Sequence, residues 1–61
     1  MITFTLVFSD EETGRVKSTV TEVKNIRHIN SREVAITDLI GGRRNIAFHE
    51  NEKLEILHRD I

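Results

Sequence analysis

The sequence predicts an all-β protein: a small antiparallel sheet of four to five strands, strongly bent or curled into an open barrel. Three observations predict it. Apolar residues alternate with polar ones in short runs, namely Ile2, Phe4, Leu6 and Phe8, then Val34 with Ile36, Ile46 with Phe48, and Leu54 with Ile56. A period of two places such residues on one face of a pleated strand. Polar or glycine-bearing turns separate these runs at near-regular spacing, as in small sandwiches and barrels. Finally, the chain has no proline and no linker-like stretch. A lone twisted sheet of so few strands hides its apolar face only by curling or by taking a partner.

The first strand is expected over residues 2–9, rich in the β-branched and aromatic types that suit a pleated surface. Residues 10–14 read as a polar turn, with Gly14 free to adopt a left-handed conformation. The returning strand covers residues 15–22, with Val16, Ser18 and Val20 on one parity. Then the rhythm changes, because Val20, Val23, Ile26 and Ile29 are spaced by three. Either a bulge inserts an extra residue and bends a long strand, or a short helical segment forms near residues 21–28. The high β-branched content favours the bent strand. Asn30 and Ser31 mark the next turn, and residues 33–40 follow as a strand with Val34 and Ile36 inward. Gly41-Gly42 supplies positive φ for a tight hairpin turn. Residues 43–49 return, and residues 50–52 make a last turn into a final strand over 53–58.

Sixty-one residues make one domain, 1–61. A chain this short buries only about 60% of its unfolded surface, which leaves little room for a deep pocket. With no cysteine, disulfides and thiolate metal sites are excluded, and the composition fits a reducing, cytoplasmic setting. No long apolar stretch suggests a membrane span or a secretory leader. The net charge of −1 creates no global field for nucleic acid or anionic lipid. The charge is uneven, however: Arg15, Lys17, Lys24, Arg27 and Arg32 face a single acid, Glu22, within residues 15–32.

No catalytic constellation accompanies this pattern, and no cofactor or metal is expected. His28, His49 and His58 are far apart and lack metal-ligand spacing, although a hairpin between the last two strands would bring His49 towards His58. Ser9, Ser18 and Ser31 lack a glycine-elbow context. Asp38 has the parity of Ile36 and Ile40 and reads as either a buried polar hook or a strand end near solvent. Gly41-Gly42-Arg43-Arg44 carries more chemistry, since exposed backbone N–H groups beside two guanidinium forks suit a phosphate or an acidic surface. Arg43 and Arg44 would act jointly only if they lie in the turn, because adjacent strand residues point to opposite faces.

Residues 14–57 resemble an Sm-like barrel in the spacing of their elements. A glycine, a strand ending near Glu22-Val23, a turn at Asn30 and the run Val34-Ala35-Ile36-Thr37-Asp38 are followed by an arginine pair, Ile46-Ala47-Phe48 and Leu54-Glu55-Ile56-Leu57. The resemblance implies an SH3/Sm-like barrel architecture. It carries over no binding residue, because Phe48-His49-Glu50-Asn51 stands where Sm-like proteins place their nucleotide-contacting pair.

The leading functional expectation is a non-enzymatic protein-interaction module, such as a regulator, inhibitor or accessory factor of phage type, and not an enzyme. It would act through strand edges on another protein or as a homodimer, by edge pairing or sheet packing. The expected partner-binding residues are Arg43, Arg44, Arg27, Arg32 and Lys24. The alternative is a single-stranded RNA or DNA binder using residues 15–32 and Arg43/Arg44. Three Phe and no Tyr or Trp leave it little for stacking.

Overall fold

In a computed structural model that describes residues 1–60, the chain forms five strands and no helix among the described residues. They are β1 (Ile2–Asp10), β2 (Val16–Asn30), β3 (Glu33–Asp38), β4 (Arg43–Ala47) and β5 (Glu52–Asp60). All pair antiparallel in one sheet of order β4-β3-β2-β1-β5. The sheet is not closed, so β4 and β5 are its two edges. The last turn therefore does not join a hairpin, as the sequence had led us to expect. Residues 48–51 carry the chain from one edge to the other, and β5 pairs with β1 along its whole length.

The three-residue rhythm of β2 has a direct cause. Leu6 pairs with Val20 and Phe4 with Val23, so two steps on β1 match three on β2. Ile36 pairs with Ile26 and Asp38 with Val23, again two steps against three. Each mismatch is a bulge, and each keeps the next apolar side chain on the same face despite its odd spacing. Glu22 takes φ 57° at the first of them, a left-handed conformation that costs a non-glycine residue about 1–2 kcal/mol. This corrects the helical alternative for residues 21–28, since all of them lie in β2. The bulged strand lets its first half serve β1 and its second half serve β3, with Val23 on both ladders.

Leu6, Phe8, Val23, Val34 and Ile36 form the buried core, and Phe4, Val20, Ile26, Ile46, Phe48 and Leu54 pack against it. The alternation read from the sequence thus selects the inward residues Phe4, Leu6 and Phe8 of β1, Val34 and Ile36 of β3 and Ile46 of β4. It fails at the ends of β1, where Ile2 is exposed and Thr3 and Ser9 are buried. Full burial of a Leu or Val is worth about 1.5–3 kcal/mol, so this thin core is the main stabilising term. The Phe8 and Phe48 rings meet at 5.6 Å with a 54° tilt, tying the 48–51 connection to β1. No helix among the described residues is long and apolar enough to cross a membrane.

Candidate functional site

The turn before β4 is built around Asp38. Its Oδ1 accepts hydrogen bonds from Ile40 N at 3.1 Å and Gly42 N at 2.7 Å. Its backbone N–H donates to Gly42 O at 2.9 Å, and Gly41 N donates to Asp38 O at 3.2 Å. The short Asp side chain therefore satisfies loop donors that the ladder leaves free. Only Gly41 has positive φ, at 89°. Gly42 is needed for room instead, because a Cβ there would fall 2.6 Å from Asp38 Oδ2. The turn is thus longer than the Gly-Gly pair expected from the sequence, and it takes in Leu39 and the 93%-exposed Ile40, both read there as strand.

The same device closes the β1–β2 hairpin. Asp10 Oδ1 accepts from Glu12 N and Thr13 N at 2.9 and 3.0 Å, and Gly14 has φ 75°. Asp10-Glu-Glu-Thr-Gly14-Arg15 and Asp38-Leu-Ile-Gly-Gly42-Arg43 share an Asp-x-x-x-Gly-Arg pattern. That pattern is the sequence signal for both capped loops.

Arg43 and Arg44 both belong to β4, so they do not form a joint clamp. Arg43 pairs with Thr37 and Arg44 with the buried Ile36, which places the two on opposite faces. Arg27 lies opposite Ala35 on the Arg43 face. With Asn25, Thr37 and Asn45 these two arginines line a shallow depression of about 300 Å³. Arg44 borders that depression too, and it also lines a second groove of about 430 Å³ with Val20, Ile36 and Asp38. Lys24 is the extra residue of the second bulge. None of these four cations makes an ion pair with another described residue.

Arg32 is occupied internally. Its Nη1 donates to His49 O at 2.9 Å and to Glu52 O at 3.0 Å, and its guanidinium lies 5.4 Å from the Phe48 ring centre. Phe48 N in turn donates to Arg32 O at 2.9 Å. The β2–β3 turn is thereby pinned to the start of β5 by charge-assisted hydrogen bonds and a cation–π contact.

The feature that sequence reasoning missed is the free side of β5. Asn51 O accepts from Glu11 N, on the β1 side, whereas Glu52 O accepts from Arg32 on the other. Backbone groups alternate sides along a strand, so Leu54, Ile56, His58 and Asp60 turn their N–H and C=O towards the free side. The side chains of Leu54, Ile56 and His58 share the core face with Phe8, Leu6 and Phe4. Lys53, Glu55, Leu57 and Arg59 share the outer face, where Leu57 is 52% exposed. The expected β4–β5 hairpin would have hidden this edge.

At the root of β5, Glu52 lies opposite Asp10. Its carboxyl is held below its ordinary value by the hydrogen bond from His49 N, with Lys17 at 3.7 Å assisting. The Asp10 carboxyl is lowered by the Thr13 and Glu12 N–H groups. His28 lies opposite Val34 and His58 opposite Phe4, while His49 sits in the 48–51 connection. Among the described residues no three acidic or histidine side chains converge to hold a metal ion. No protein-family model, curated protein or solved structure matches this chain.

Proposed function

We propose that this protein is a non-enzymatic interaction module that takes a strand from another protein, or from a second copy of itself, onto the free edge of β5. One observation carries the reading: a nine-residue edge strand whose outward backbone groups have no strand beside them. Added strands gain main-chain hydrogen bonds from such an edge and specificity from its alternating side chains. The exposed Ile56 and Leu57 supply apolar contact on either face of the same strand. Arg43 and Arg44 add a second contact at the far edge, each to its own face. A cytoplasmic setting goes with this reading, in keeping with a chain that has no cysteine.

The curl of the sheet is best described, on this proposal, as an open barrel of SH3/Sm type. Its support is the strand order, with β1 between β2 and β5, and the Arg32 bridge from the β2–β3 turn to β5. The nucleic-acid alternative rests on the Arg27–Arg43 depression, whose amides and guanidinium groups suit phosphate. Against it, Phe8 is buried and Phe4 and Phe48 pack on the core, so no aromatic ring is offered for stacking.

Amide hydrogen exchange on a complex captured from the producing cell tests the main reading. Binding is expected to protect the amides of Leu54, Ile56, His58 and Asp60. A partner that leaves these amides exchanging as in the free chain overturns it. Binding to single-stranded oligonucleotide that weakens steeply with salt would favour the alternative.

A further inference from the structure

We infer that β5 pairs with β5 of a second copy, antiparallel, about a two-fold axis passing through Leu57. This rests on the edge reading above and names its partner and register. A two-fold axis perpendicular to the sheet keeps core face with core face, so facing residues must have the same parity. Three registers then pair most of β5 with itself, centred on Glu55, Ile56 or Leu57.

Charge separates them. Centring on Ile56 sets Glu52 against Asp60 and Lys53 against Arg59, like charges in each case. Centring on Glu55 sets that carboxylate against its own copy. Centring on Leu57 sets Glu55 against the partner's Arg59 and Arg59 against the partner's Glu55, with the two Leu57 side chains between them. Like charges directly opposite destabilise a strand pair, and opposite charges and apolar pairs stabilise it. The outer-face triplet Glu55, Leu57, Arg59 reads acid, apolar, base, which is self-complementary when reversed.

The backbone makes the same selection. Leu54, Ile56, His58 and Asp60 face the free side, so the Leu57 register forms hydrogen-bonded pairs between Ile56 and the partner's His58, and between Leu54 and the partner's Asp60. Leu57 falls at a non-hydrogen-bonded position, where Cα atoms approach to about 4.5 Å and side chains touch. The other two registers also recruit Glu52, whose carbonyl already accepts from Arg32 at 3.0 Å. The Leu57 register stops at Leu54 and leaves the Arg32 bridge intact.

Sedimentation equilibrium of the purified chain tests the inference. The wild type is expected to be a dimer. Glu55→Arg alone and Arg59→Glu alone each create two like-charge pairs and should weaken the dimer about tenfold or more. The double variant E55R/R59E should restore it, which rules out misfolding as the cause of either loss. An equimolar mixture of the two single variants should form a heterodimer. Leu57→Cys, in a chain with no cysteine of its own, should oxidise to a covalent dimer. A wild type that stays monomeric at millimolar concentration overturns the inference, as does assembly beyond a dimer or a dimer indifferent to both reversals. A monomeric wild type whose 54–60 amides are protected by a different protein would sink self-pairing and leave the edge reading standing.

Discussion

The two edges of this sheet are protected in different ways, although both end a ladder of antiparallel strands. β4 is five residues long and two of them are arginine, one on each face. A short, charged edge is a poor template for an incoming strand. β5 is nine residues long, and its exposed Leu57 lies between Glu55 and Arg59 on the outer face. In the self-pairing proposed above, its charges would not repel the partner strand but would favour one register. The difference teaches that an edge strand is judged by the order of its charges as well as by their number.

Truncation of each edge's supporting residue should give the largest separation. Leu6, fully buried opposite Ile56 of β5, should cost about 2–5 kcal/mol on Leu6→Ala. That is a large share of the roughly 3–9 kcal/mol expected for a domain of this size. Ile46 in β4 is half-buried, so Ile46→Ala should cost less, about 1–2 kcal/mol. Denaturant unfolding of both variants checks the order; equal costs would mean that the β4 end is anchored as deeply as the β5 end.

Acid should loosen the root of β5 before it touches β4. The Asp10 and Glu52 carboxyls lie below their ordinary values of 3.8 and 4.5 in the folded chain. The unfolded chain therefore takes up protons first as pH falls, and stability present above those values is lost through and below them. Amide exchange at a series of pH values should show earlier loss of protection around Asp10 and Glu52 than along β3–β4. Glu52→Gln should flatten this dependence; loss that begins at β4 would contradict it.

The smallest effect is expected at the far edge. Arg43→Ala with Arg44→Ala removes two exposed cations that make no ion pair among the described residues and should change stability by no more than about 0.5 kcal/mol. It should also leave β5 self-association unchanged. Partner binding that falls by about 2 kcal/mol or more would make the arginines an interface of their own. Loss of the dimer instead would join the two edges in one contact.

Much of the fold was legible residue by residue. The inward positions Leu6, Phe8, Val34 and Ile36 follow from parity, and even the odd spacing of Val20, Val23 and Ile26 announced the bulges of β2. Less of the candidate site could be read. Arg32 is chemically identical to Arg27 in the sequence, yet only Arg32 has two carbonyl oxygens and a Phe ring within reach. Arg43 and Arg44 looked like a pair until their strand registers separated them.

By itself, the sequence determined roughly where the strands lie, which face of the β1 centre and of β3 is apolar and where glycine-bearing turns fall, because these depend on local sterics and a two-residue period. The strand ends near Leu39 and Ile40 and the aspartate caps of the loops were not read from it. Tertiary structure alone decided that β5 lies beside β1 instead of β4, and so which edge is free. Alternation specifies a face but not a neighbour. What accompanies that placement is tertiary: the register shifts of β2 against both of its neighbours, and the Arg32 and Phe48 contacts that tie the 48–51 connection to the β2–β3 turn and to β1.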